Sequence, residues 1–123
     1  IMAFADGRAQ LPGESMSRLL LPDLGFATPR LQVRLADSSH LYFVDFGLDD
    51  AKAWGEFDGE GKYTDAQFRG ERTPWEVVRA EKEREDWIRA TTHRPLVRWG
   101  MLHLASSVTL GRRLAAFGIR PPR

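Results

Sequence analysis

From Leu31 to Leu35 the chain alternates, with Leu31, Val33 and Leu35 set against Gln32 and Arg34. A period of two predicts a strand with one face in the core and the other in water. The polar run Asp37-Ser38-Ser39-His40 then reads as a hairpin turn. LYFVDFGL, from Leu41 to Leu48, is apolar almost throughout and rich in aromatic and β-branched residues. That composition predicts a strand buried on both faces. A turn at Asp49-Asp50 leads into KAWGEFDG, a third strand stopped by Gly59 and Gly61. Residues 60–73 are polar and read as a loop.

Helical spacing brackets these strands. In LPGESMSRLLL, Pro12 stands near the start, Glu14 lies in the first turn, and Met16, Leu19 and Leu20 share a face. Pro22 and Gly25 end it. Thr73 and Pro74 form an N-cap and first-position pair for a helix from about Trp75 to about Ala90. RPLVRWG reads as a short last strand and LHLASSVTLGRRLAAFG as a closing helix. The order is α-β-β-β-α-β-α, an α/β domain whose first three strands come as hairpins. The fourth reaches the same sheet through a helical crossover.

A length of 123 residues suits one domain, which buries roughly two-thirds of the surface of its unfolded chain. The chain starts at Ile1, and residues 1–10 read as a connector from a missing N-terminal region, with the domain over 11–123. The absence of cysteine excludes a disulfide framework and any thiolate metal site, and it suits a reducing cytoplasm. No apolar run approaches the roughly 20 residues that span a bilayer.

The net charge of +1 says little, but its distribution says more. Eight acidic residues lie between Asp37 and Asp65 against two lysines, while six arginines and no acidic residue lie between Arg94 and Arg123. Central carboxylates suit a divalent cation and terminal arginines suit phosphate. Sequence-distant charges also mix on a folded surface, which is the plainer reading.

Within the strands, alternation puts Glu56 and Asp58 on one face. Asp45 interrupts the YFVDF run, and a carboxylate there needs a partner or a metal. If the two strands pair, three carboxylates converge as hard oxygen ligands of the kind Mg²⁺ takes. Two plainer readings stand beside this. Such an Asp often accepts hydrogen bonds from backbone amides, and Glu-x-Asp also suits a solvated face. On the helix from Trp75, Val77, Ala80, Trp87 and Ile88 mark an apolar stripe, with Glu81 and Arg84 in its middle and Lys82 and Asp86 outside it. These two polar residues form a buried ion pair, point into a site, or do both. Glu14 and Arg18 read equally as a helix-surface pair. The histidines at 40, 93 and 103 share no spacing, and Ser106, Ser107 and Thr109 stand in no nucleophile motif.

VDF, followed eleven residues after its Asp by EFDG, then AEKEREDWIRA and LVRW, resembles a PD-(D/E)XK nuclease domain. The branch is the one similar to very-short-patch-repair endonucleases, found in actinobacterial proteins. ADGRAQLPGESMSRLLL looks like its helical lead-in, so the resemblance runs from about Ala5 to about Leu104. It implies a restriction-endonuclease-like fold, with a four-stranded mixed sheet flanked by helices and a divalent-metal site on the second and third strands. Asp45 and Glu56 match the motif carboxylates that hold Mg²⁺ or Mn²⁺. Asp58 stands where many members place lysine, Lys62 where close relatives carry histidine, and Glu14 matches a lead-in glutamate. Such domains frequently follow a winged helix similar to the antitoxin of an abortive-infection toxin–antitoxin system.

Two functions follow. In the first, a Mg²⁺-dependent endonuclease hydrolyses DNA phosphodiesters: Asp45 and Glu56 hold metal, Asp58 assists and Lys62 positions water. Arg84 and the C-terminal arginines Arg98, Arg112 and Arg113 then meet phosphate. In the second, the fold serves as a non-catalytic DNA- or protein-binding module of an antitoxin-like regulator. Carboxyl oxygens of Asp45 and Glu56 within one metal shell favour the first. A salt bridge from arginine to either carboxylate favours the second.

Overall fold

Period-two segments form one sheet and period-3.6 segments cover it, as the computed structural model, which describes residues 12–59 and 72–122, makes plain. In chain order the elements are α1 (Gly13–Asp23), β1 (Arg30–Ala36), β2 (Leu41–Leu48), β3 (Ala53–Phe57), α2 (Pro74–Thr92), β4 (Leu96–Trp99) and α3 (Ser107–Ala116). Short 3₁₀ turns occupy Asp49–Ala51 and Met101–Leu104. The described residues thus form an α/β structure with a four-stranded mixed sheet in the order β1-β2-β3-β4. β1, β2 and β3 run antiparallel in turn, and β3 and β4 are parallel, joined across the segment that holds α2.

Local chemistry explains the joints. Asp37 Oδ1 accepts the backbone N–H groups of Ser39 at 2.8 Å and His40 at 2.7 Å, which closes the β1–β2 hairpin with a side chain that mimics a backbone turn. Lys52 closes the second hairpin in the left-handed region at φ 50°. Thr73 and Glu76 cap α2 reciprocally, each side chain accepting the other's backbone N–H. The helix runs two residues past the expected Ala90, until His93 turns left-handed at φ 59°. The closing helix starts later than its apolar pattern suggests. Met101–Leu104 winds as a 3₁₀ turn, and Ser106 then caps α3 by accepting Thr109 N–H.

Each sheet face has its own core. α1 and α3 bring Leu21, Leu110 and Leu114 against Phe46, Leu48, Val97 and Trp99. On the other side α2 brings Ile88 against Val33, Val44, Trp54 and Leu96. Val44 and Phe46 are two residues apart yet belong to different cores, so β2 changes face at Asp45. Opposite it, Gln32 takes φ 47°, unusual for a residue with a Cβ. The ladder pairs Leu31 with Phe46 and Val33 with Val44, skipping both residues between.

β2 is buried on both faces only in its second half. Leu41 and Phe43 stay 55% and 48% exposed, because α1 and α3 cover Phe46 and Leu48 but not the hairpin tip. α1 meets β3 closely. A Cβ on Gly13 would run into the Phe57 ring, so a larger residue there requires that ring to move. The buried Trp99 donates its indole N–H to Ser17 Oγ at 2.8 Å, and Ser17 in turn donates to Gly13 O at 2.7 Å. No described helix is long and apolar enough to cross a membrane.

Candidate functional site

Asp45 stands where the β2–β3 ladder stops, since the recorded pairs run only from Leu48↔Ala53 to Phe46↔Gly55. Its side chain replaces the missing rung. Oδ2 accepts the backbone N–H of Phe57 at 2.9 Å, and Oδ1 accepts the Gln32 side-chain amide at 3.3 Å. A half-buried carboxylate in an apolar strand therefore serves as an acceptor for a backbone amide beyond the last β2–β3 ladder pair.

Glu56 follows Trp54 on the α2 side of β3 and is 3% exposed. A carboxylate this deep needs counter-charge, and two arginines supply it. Arg84 from α2 donates Nη1 to Oε1 at 3.0 Å and Nη2 to Oε2. Arg98, the neighbour of Glu56 in the parallel β3–β4 register, lies 3.3 Å from Oε1. Arg84 also donates to Glu81 at 2.8 Å and to the carbonyl of Phe43 at 2.6 Å. Arg98 is further paired with Glu81 and Glu85, and Glu85 lies 3.7 Å from Arg89. Burial works against the Arg84 charge, but hydrogen bonds and the charge of Glu56, with Glu81 adding, outweigh it and raise the guanidinium pKa above its ordinary value.

The lattice joins α2, β3 and β4 from below the Tyr42 ring, whose centroid lies 5.8 Å from the Arg84 guanidinium. In this arrangement Glu56 turns both oxygens to guanidinium N–H groups, and Asp45 turns both to amide donors. No set of three or more His, Cys, Asp or Glu side chains among the described residues is placed to hold a metal ion. Both carboxylates are thus already engaged by donors of this chain.

The remaining sequence candidates scatter. Strand β3 ends at Phe57, so Asp58 lies just beyond the sheet, half-buried, with its N–H donated to Trp99 O at 2.7 Å. Glu14 is exposed in the first turn of α1, next to the glycine that packs on Phe57. Lys62 lies outside the described residues. Arg113 spends its Nε–H on Arg98 O at 2.8 Å and covers the Phe117 ring at 4.7 Å, while Arg112 is exposed. Arg94 pairs with Asp49 at 2.8 Å. Lys82 is exposed and lies 3.8 Å from Asp86, as its position outside the apolar stripe predicts.

Much of the C-terminal basic run is thus consumed internally. Arg18, Arg34, Arg72, Arg79, Arg112 and Arg120 are exposed and make no ion pair among the described residues. Sequence reasoning missed Gln32 as the partner of Asp45, and Glu85 as a partner of Arg98. A signal for the second existed: Arg98 breaks the apolar strand LVRW as Asp45 breaks its own, and Glu81, Arg84 and Glu85 share one helix face.

A second charge cluster lies at the other end of the sheet. Asp49 accepts from Arg30 at 2.5 Å and from Arg94 at 2.8 Å, and both guanidiniums lie by the Trp54 ring, at 5.9 and 4.6 Å. Hydrogen bonds from Arg30 and Arg94 hold the Asp49 carboxyl well below the usual carboxylate range. No protein-family model, curated protein or solved structure matches the chain.

Proposed function

We propose that this domain is a non-catalytic DNA-binding module of an antitoxin-like transcriptional regulator, built on a restriction-endonuclease-like sheet. One observation carries the proposal: both oxygens of Glu56 are held by arginines, Oε2 by Arg84 and Oε1 by Arg84 and Arg98. A carboxylate so engaged has its counter-charge built in. The four-stranded mixed sheet with helices on its faces agrees with what the resemblance implies, which supports the fold half of the reading. The exposed arginines outside the lattice, Arg34, Arg79 and Arg112 among them, support phosphate contact.

The test pairs binding with cleavage. Fluorescence anisotropy with a labelled DNA duplex should give salt-dependent binding that Arg112→Glu and Arg34→Glu weaken. Plasmid incubated with Mg²⁺ or Mn²⁺ should stay intact. Absence of DNA binding at low salt would sink the module.

A second reading, a Mg²⁺- or Mn²⁺-dependent DNA endonuclease, draws on the surroundings of Phe57. Its N–H meets Asp45, its ring meets Gly13 beside Glu14, and Asp58 follows it. Metal-dependent cutting that Asp45→Ala and Glu56→Gln both abolish, with the fold retained, would establish that reading instead.

A further inference from the structure

A groove of about 420 Å³ lies between α1 and the start of β1, away from the ion-pair lattice. Leu19, Pro22, Pro29 and Leu31 give it apolar walls, and Arg18 gives it a charge. We propose that it binds an extended acidic peptide segment of a partner protein, apolar side chains resting on Leu19 and Leu31 and a carboxylate on Arg18.

Three features select this occupant. Leu19 and Leu31 are 51% and 43% exposed, so the groove leaves apolar area in water on both walls. Arg18 makes no ion pair among the described residues, and no described acidic side chain lines the groove, so its charge is open to a carboxylate from a partner. Leu31 belongs to β1, the outer strand of the described sheet, whose outer backbone edge pairs with no described strand and suits an extended chain laid beside it.

A second copy fits less well. Antiparallel self-pairing of β1 centred on Gln32 would set Arg30 of each copy against Arg34 of the other, and like charges directly opposite destabilise a strand pair. Nucleic acid is disfavoured as well, because the apolar walls offer nothing to a phosphate backbone.

The experiment uses the full chain and two fluorescein-labelled hexapeptides, one alternating leucine with glutamate and the other leucine with lysine. Anisotropy should show saturable binding of the acidic peptide, with the basic peptide at least about tenfold weaker, the scale of one charge-assisted contact. Arg18→Glu should weaken the acidic peptide about tenfold and strengthen the basic one, a swap that a merely structural role would not produce. Leu19→Asp, also at an exposed position, should weaken both, with far-UV circular dichroism unchanged. Equal binding of the two peptides would overturn the proposal. So would no binding up to about 1 mM, or displacement of the acidic peptide by a single-stranded DNA oligonucleotide. Dimerisation abolished by Arg18→Glu would overturn it in favour of a second copy.

Discussion

Arg84 and Glu56, 28 positions apart in sequence, meet across the α2–sheet interface through two N–H···O contacts, with side chains only 16% and 4% exposed. Coulomb attraction at this depth is strong, but so is the cost of removing each charge from water. The pair therefore fixes where α2 sits on β3 more than it adds net stability.

Removing Arg84 leaves Glu56 Oε2 buried without its donor, with Arg98 alone beside Oε1. Arg84→Met should destabilise the domain by about 3–5 kcal/mol in urea denaturation. Combining it with Glu56→Leu should recover a large part of that loss, because the orphaned carboxylate goes too. A double variant as unstable as the sum of the singles would show that the two residues act independently.

Asp45 stands in for a missing rung of the sheet. Asp45→Ala removes the Asp45 carboxylate as an acceptor of the Phe57 N–H, and a loss of about 1–3 kcal/mol is expected. Native-state hydrogen exchange should show the Phe57 amide becoming selectively faster. An unchanged Phe57 amide would mean that another acceptor replaces the carboxylate.

Gly13 packs so close to the Phe57 ring that a Cβ there requires the ring to move. Alanine is the better helix former by up to about 1 kcal/mol. Overpacking opposes this by about 1–3 kcal/mol, so Gly13→Ala should lower the melting temperature. The double variant Gly13→Ala, Phe57→Leu should regain part of the loss, because the smaller side chain frees the space.

The Asp49 carboxyl has its folded-state pKa depressed by Arg30 and Arg94. A depressed carboxyl contributes stability that is present above its unfolded value, about 3.9, and is lost as pH falls through the lower folded value. The melting temperature should therefore drop below about pH 4, and Asp49→Asn should flatten that acid limb. Asp49 and Arg30 are 44% and 54% exposed, so the contribution should be modest and should shrink further in high salt.

Much of the architecture was legible along the chain. Alternation marks β1 as a strand, and Thr73-Pro74 marks the start of α2, but the expected core face of β1 holds only Val33 buried, because the break at Gln32 leaves Leu31 43% exposed. The half-exposed tip of β2 was not legible. Leu41 and Phe43 look as apolar as Phe46 and Leu48, and only the reach of α1 and α3 separates the two pairs.

The candidate site divides along the same line. By itself the sequence determined that Asp45 interrupts an apolar strand and that Glu81 and Arg84 interrupt an apolar helix stripe, hence that each needs a partner, since desolvating a charge is costly wherever it happens. Which partner each takes was decided only by the tertiary structure. The face change at Asp45 and Gln32 turns that carboxylate toward the Phe57 amide, and the docking of α2 sets Arg84 on Glu56. Those contacts join residues 12 and 28 positions apart, a separation that local periodicity does not encode.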